Sequence, residues 1–316
     1  MKIALVTPAR PVAHSGNRNT AVRWAGMLRE LGHRVKVATR WDGNAADVMI
    51  ALHARRSHEA VAAYARAYPT RPLVLMLTGT DLYHDIRYDA RAKDSLRLAT
   101  RLIVLQERGP AELMRGLRTK TRVIYQSTQT PPRMPSLASC FEVCVSGHLR
   151  DVKDPFRLAA ALRYLPASSR IRAVQIGGAM TAAMGRTAQQ WMRREPRYRW
   201  LGELPHGAAV RRLARARLMV ISSRMEGGAN VVTEALAAGV PVIASRIPGN
   251  VGMLGSAYAG YYPLGDERAL ARMLSRAESD PAFYARLERQ CAARRKLTGR
   301  AREKAALRQL LRELST

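Results

Sequence analysis

Short apolar runs alternate with amphipathic stretches along the chain. KIALVT, Lys2 to Thr7, is a run of strand formers that stops at Pro8. TAVRWAGMLRELG, Thr20 to Gly32, has apolar residues at helical spacing with Gly32 as its stop, and RVKVAT is a second β-rich run. This is a βαβ unit, and the alternation continues through DVMIAL, SHEAVAAYARAY, PLVLML, a helix around Arg97 and RLIVLQ. Such a series predicts a parallel sheet covered by helices.

Ser127 to Ser139, STQTPPRMPSLAS, combines three prolines with Ser and Thr and has no periodicity, so it reads as a linker. A second series then begins: FEVCVSG, the helical PFRLAAALRYL, IRAVQIGG, the helical GAAVRRLARA, RLMVISS, the helical NVVTEALAAG, and VPVIAS. The expectation is an α/β protein of two tandem doubly wound domains, residues 1–138 and 139–290. Ligands would lie in a cleft at the carboxyl ends of both sheets. After Asp280 the chain reads as helical and basic. Leu307, Leu310, Leu311 and Leu314 fall at i, i+3, i+4 and i+7 and form one apolar stripe, for which docking on the protein's own core is favoured over an anionic membrane surface.

Composition narrows the partners. The first apolar run is too short for a signal sequence or a membrane span, which points to a cytoplasmic protein without a transmembrane segment. Cys140, Cys144 and Cys291 are an odd number of thiols, so no disulfide framework is expected. The net charge of +29, from 53 Lys+Arg against 24 Asp+Glu, favours nucleic acid, an acidic membrane surface or phosphorylated substrates. The arginines are spread over nearly every helix and only three Phe accompany them, which argues against nucleic acid and leaves much of the charge as solvated helix face.

Chemistry gathers in the loops after strands. In EGGANVVTEALAAGVPV, Gly227, Gly228, Ala229 and Asn230 form a turn opening a helix that Gly239 ends, a place where backbone N–H groups would take a phosphate. Glu226 ends the strand and Glu234 lies about two turns into the helix, on the order of 10 Å away, so the two carboxylates could hold the hydroxyls of a ribose and a sugar. A capping Glu and a surface Glu would leave the same trace if the motif stood alone. ALHARRSH places His53, Arg55 and Arg56 after a strand. An Arg pair there can hold a doubly charged oxyanion, though a solvated helix start would look similar. His53 and His58 have no companions to complete a ligand set, so no metal is expected. Gly16, Asn17 and Arg18 offer a flexible turn and a helix start, without the G-x-G-x-x-G that would argue for a dinucleotide.

The stretch SSRMEGGANVVTEALAAGVPVIAS resembles, nearly position for position, the nucleotide-sugar motif of the GT-B glycosyltransferases of family 4, including its Glu-x7-Glu pair and the following Ala-x-x-x-Gly-x-Pro-Val. The resemblance spans the whole chain and implies a GT-B fold in which a basic C-terminal helix, residues 291–316, crosses back to the first domain. It implies that Glu234 binds the nucleotide ribose and Glu226 the hydroxyls of the transferred sugar. In SGHLRDVKDPF, Lys153 matches a family Lys that grips the diphosphate. His148 stands at the position of a family Arg, with Arg150 two residues on, and Arg150 or a protonated His148 takes over that part. These cations would offset charge on the departing diphosphate. In LTGTDLYHDI, Thr78 replaces the His of a His-Gly-x-Asp stretch, which suggests a different acceptor.

Taken together, SGNRNT, ALHARRS, LTGTDLY, SGHLRDVKDPF, SRMEGGANVVTEA and SRIPGNVGMLG resemble one branch, the selenosugar synthases of selenoneine biosynthesis. That resemblance implies a UDP-sugar donor such as UDP-N-acetylglucosamine, selenophosphate as acceptor, release of UDP and phosphate, and no cofactor. The expected catalytic groups are Lys153, Arg150, Glu226 and His53. The expected acceptor side is Gly16, Asn17, Arg18, His53, Arg55, Arg56, Thr78, Gly79, Thr80 and Asp81. Selenium is a soft, strong nucleophile that needs little general base, so the lack of an Asp/His dyad is no objection. An ordinary glycosyltransferase acting on a lipid or small hydroxyl acceptor is the alternative, and it would need a base and a hydrophobic groove. A basic nucleic-acid-binding module is the alternative from another class.

Overall fold

The computed structural model describes residues 1–9, 16–129 and 134–315, so residues 130–133 of the expected linker and 10–15 of the loop before Gly16 lie outside the described residues. The chain divides into two compact units. The first holds Met1–Ser127, Glu226–Gly228 and the chain from Arg300 onward; the second holds Thr128–Met225 and Ala229–Gly299.

The first unit is built on β1 (Lys2–Val6), β2 (Arg34–Ala38), β3 (Val48–Leu52), β4 (Leu73–Met76), β5 (Arg101–Val104) and β6 (Thr121–Val123). They form one sheet in the order β2-β1-β3-β4-β5-β6, parallel throughout. β3 and β4 are buried at every position, as unbroken apolar runs must be when helices cover both faces. On one face Trp24 and Leu28 of helix Gly16–Glu30 pack with Leu307, Leu310 and Leu311 of helix Arg300–Glu313. On the other face lie Val61 and Tyr64 of helix His58–Ala67 and Leu96 of helix Ala90–Leu98. The apolar stripe of the C-terminal helix is therefore covered by the first unit's own sheet.

The second unit carries β7 (Phe141–Ser146), β8 (Ile171–Ile176), β9 (Tyr198–Trp200), β10 (Leu218–Ile221), β11 (Val242–Ser245) and β12 (Tyr261–Tyr262). Their order is β12-β11-β10-β7-β8-β9, again parallel. Strand order reverses between β1 and β3 in the first sheet and between β7 and β10 in the second. Loops at the carboxyl ends of those strands splay apart and leave room for a ligand.

Three differences from the sequence reading have local causes. Helix Ala182–Arg194 escaped notice because it is polar overall, with Ala188 its one fully buried residue, although its apolar positions keep helical spacing. Ser127, expected in the linker, is buried at the end of the first unit, where its N–H donates to Glu303 Oε2 at 2.7 Å. The tail is two helices, Pro281–Arg295 and Arg300–Glu313, separated by a turn at Lys296–Thr298 and an extended Gly299.

Candidate active site

In the first unit the chain leaves β3 through His53, whose φ of 74° places a non-glycine residue in the left-handed region. That costs energy on its own, and the surroundings hold it there. The Ser57 hydroxyl donates to Leu52 O at 2.6 Å, the Ser95 hydroxyl donates to Ala54 O at 2.8 Å, and Ser57 N donates to His53 O at 3.1 Å. The imidazole is only 3% exposed. Its Nδ1 lies 3.9 Å from Asp81 Oδ2, its Nε2 lies 3.9 Å from Asp85 Oδ2, and Nε2 has no hydrogen-bond partner among the described residues. Burial pushes the His53 pKa below the ordinary imidazole value, against the pull of Asp81, so the ring is neutral near pH 7.

Asp81 joins the loops after β3 and β4. Its Oδ1 accepts from Thr78 N and Gly79 N, both at 2.9 Å, and its Oδ2 accepts from Ala54 N at 3.0 Å. This fully buried carboxylate, with three backbone donors, ties the two loops together. Thr78 and Thr80 remain half-buried in the same loop. The Arg pair divides likewise. Arg55 Nε donates to Asp85 Oδ2 at 2.9 Å, while the exposed Arg56 guanidinium makes no ion pair with any described residue. Burial alone would raise the Asp85 pKa, but the hydrogen bonds from Arg55 and His84 outweigh it and hold the carboxyl below its ordinary range. Gly16, Asn17 and Arg18 form the first turn of helix Gly16–Glu30.

Glu226, Gly227 and Gly228 pack with this unit. A Cβ on Gly227 would meet the Thr78 carbonyl and lie 2.7 Å from Gly79 N, and one on Gly228 would run into Leu105. Both glycines are therefore required for close backbone approach. Glu226 is 7% exposed.

In the second unit the loop after β7 passes Gly147, at φ 149°, and runs against Gly177 at the end of β8. Leu149 N donates to Gly178 O at 2.9 Å, which fixes the backbone on either side of the half-buried His148 and the exposed Arg150. Arg150 precedes a turn at Asp151–Lys153, and Asp154 follows in the left-handed region with φ 44°. The loop after β10 is stitched to this one: the Ser222 hydroxyl reaches Lys153 O at 3.0 Å and Asp154 O at 2.9 Å, and Arg224 N donates to Val152 O at 2.9 Å. Lys153 is half-buried at this junction.

Helix Asn230–Ala238 opens on Ala229, which has no side-chain acceptor to offer the amides of the first turn, and it ends on the left-handed Gly239. Glu234 faces His206, with Oε1 3.9 Å from Nδ1. His206, Gly147 and Gly177 escaped the sequence reading. The two glycines lie in VSGH and IGGA, where the repeated strand-then-Gly pattern was the available signal. Among the described residues no group of three or more His, Cys, Asp or Glu could hold a metal ion, and no helix is long and apolar enough to cross a membrane.

Two parallel six-stranded sheets in one chain, each with its loops at a strand-order reversal, define the GT-B fold. Residues 140–295, just under half of the chain, match the family model of the glycosyl transferases group 1. Solved structures of the same fold include Anabaena Alr3699/HepE in complex with UDP and glucose, at 17% identity and a TM-score of 0.79, covering 99% of this chain and 100% of that one. Sucrose-phosphate synthase from Thermosynechococcus elongatus matches at 20% identity and TM-score 0.78, covering 99% and 98%. The α,α-trehalose-phosphate synthase (UDP-forming) from Burkholderia vietnamiensis matches at 11% and 0.71, covering 96% and 79%. No curated protein sequence matches the chain.

Proposed function

We propose that this protein is a glycosyltransferase that takes a UDP-sugar as donor, UDP-N-acetylglucosamine by resemblance, and selenophosphate as acceptor, releasing UDP and then phosphate. The observation that carries the donor half is the Glu226 to Glu234 segment after β10, in which two carboxylates bracket a helix start that lacks a side-chain cap. A diphosphate suits those amides and the positive end of the helix dipole. Glu234 accepts from the ribose hydroxyls and Glu226 from the sugar hydroxyls, while Lys153 with Arg150 or His148 offsets charge as the diphosphate leaves.

For the acceptor, a selenium lone pair of selenophosphate attacks C1, the C1–O bond to UDP breaks, and UDP leaves with the bonding electrons. Water then cleaves the Se–P bond, giving phosphate and the selenosugar. Support comes from the loop sequences that resemble selenosugar synthases and from the unpaired guanidinium of Arg56. The pairing of Arg55 with Asp85 favours a second reading, an ordinary hydroxyl acceptor, because it leaves one open arginine where a clamp wants two.

Glu234→Ala should weaken UDP binding by roughly ten- to a hundredfold, the worth of charge-assisted hydrogen bonds of about 1.5–3 kcal/mol. Unchanged UDP affinity by calorimetry would remove Glu234 from the site. Lys153→Ala should lower turnover more than it raises the UDP-sugar KM, since the lysine acts on charge that develops as UDP departs. A pure rise in KM would restrict it to binding. Arg56→Ala should raise the selenophosphate KM by about tenfold or more and relieve inhibition by inorganic phosphate, with Arg55→Ala the milder of the two. If both variants kept the wild-type KM and phosphate inhibition, the anion would have to bind elsewhere, with Gly16, Asn17 and Arg18 next in line.

A further inference from the structure

Gln126 lies just beyond β6, was not singled out in the sequence, and is 3% exposed. Its amide is satisfied at both ends. Oε1 accepts from Arg23 Nη2 at 2.8 Å and from the Thr20 hydroxyl at 2.6 Å, the latter sharing its single proton with Gly16 O at 2.9 Å. Nε2 donates to Gly228 O at 2.6 Å. The orientation of the amide is determined, because a guanidinium can only donate and a carbonyl can only accept. Arg23 is itself oriented by Glu303 on the C-terminal helix, to whose Oε2 its Nε donates at 3.0 Å. A continuous line of hydrogen bonds thus runs from Glu303 through Arg23 and Gln126 to the carbonyl of Gly228.

We propose that Gln126 is a positioning residue for the Gly227–Gly228 turn, and that Glu303 of the C-terminal helix holds it in register through Arg23. Glycine has no side chain to lock the turn, and the nearest neighbours a Cβ on Gly227 would meet are backbone atoms of Thr78 and Gly79. The Gln126 bond places a polar restraint on the segment that carries Glu226. The C-terminal helix then contributes to the site as well as covering the sheet. The kinetic arm of the test rests on the donor reading of that turn, and the structural arm does not.

The test is Gln126→Glu in the full chain, a near-isosteric change that keeps an acceptor for Thr20 and Arg23 and turns the donor facing Gly228 O into a second acceptor. Without ligand, amide exchange in the peptide spanning residues 225–230 should accelerate about tenfold or more while β3 stays protected. With substrates, turnover should fall about tenfold or more while UDP affinity stays within about threefold, the signature of a displaced sugar contact and an intact nucleotide site. If the buried carboxylate unfolds the first unit, seen as fast exchange across β3, the uncharged Gln126→Met is read in the same two ways. Wild-type exchange at 225–230 in a folded variant would overturn the proposal. Accelerated exchange in a protein that never binds UDP would uphold the positioning role and sink the donor reading instead.

Discussion

Glu303→Ala is expected to destabilise the first unit by about 3–5 kcal/mol, the cost of removing one member of a buried ion pair and leaving the other without compensation. Glu303 is only 1% exposed at its side chain. Its two oxygens accept from Arg23 Nε, from Trp24 Nε1 at 2.7 Å, and from the backbone N–H and hydroxyl of Ser127. Alanine would leave the Trp24 indole N–H and the Ser127 amide buried with nothing to accept from them, and the half-buried Arg23 guanidinium with only the neutral Gln126 carbonyl. Domains are typically stable by only about 5–15 kcal/mol, so such a loss is a large fraction of the total. Urea unfolding should show a lower midpoint. The control is Glu30→Ala, which removes a solvent-exposed partner of Arg300 and Lys304 on the same C-terminal helix and should leave the midpoint almost unmoved. Equal midpoints for the two variants would mean that the buried carboxylate does not fasten the helix.

Gly177→Ala should be as damaging in the second unit and should be seen at the site as well. At φ 140° an L side chain is strained wherever it is placed, a penalty on the order of 1–3 kcal/mol. The added Cβ would also meet the Gly147 carbonyl and lie 2.8 Å from His148 N, and backbone cannot swing aside as a flexible side chain can. The strand-end loop carrying His148, Arg150 and Lys153 must then move. UDP affinity should fall by about a hundredfold or more, with a lowered melting temperature. Gly265→Ala is the comparison: its φ of 80° carries the same kind of strain, but a Cβ there meets nothing within 4 Å. Wild-type UDP affinity in Gly177→Ala would show that the loop after β7 does not form the diphosphate site.

Strong local signals made most strands and many helices legible. Val48–Leu52 and Leu73–Met76 are unbroken apolar runs because both faces of the sheet are covered, and Gly32 and Gly239 stop their helices in the left-handed conformation that glycine favours. Elements without such signals were missed. Helix Ala182–Arg194 is polar overall and buries only Ala188 fully, and β9 is only three residues long. At the site, the motif around Glu226 and Glu234 could be read because its residues adjoin in sequence. The bond from Ala54 N to Asp81, the pairing of Arg55 with Asp85, and the line from Glu303 to Gly228 join residues 27 to 280 positions apart, which no periodicity connects. The sequence could thus show which side chains were available. Only the fold shows that Arg55 is paired and Arg56 is open.

The most direct test of the central claim is the mass of the product formed when the protein is incubated anaerobically with UDP-N-acetylglucosamine, with and without selenophosphate. The account predicts UDP, phosphate and a selenium-containing N-acetylglucosamine, all dependent on selenophosphate. UDP-N-acetylglucosamine and selenophosphate both recovered unchanged, while a hydroxyl-bearing acceptor supplied in selenophosphate's place is glycosylated, would contradict it.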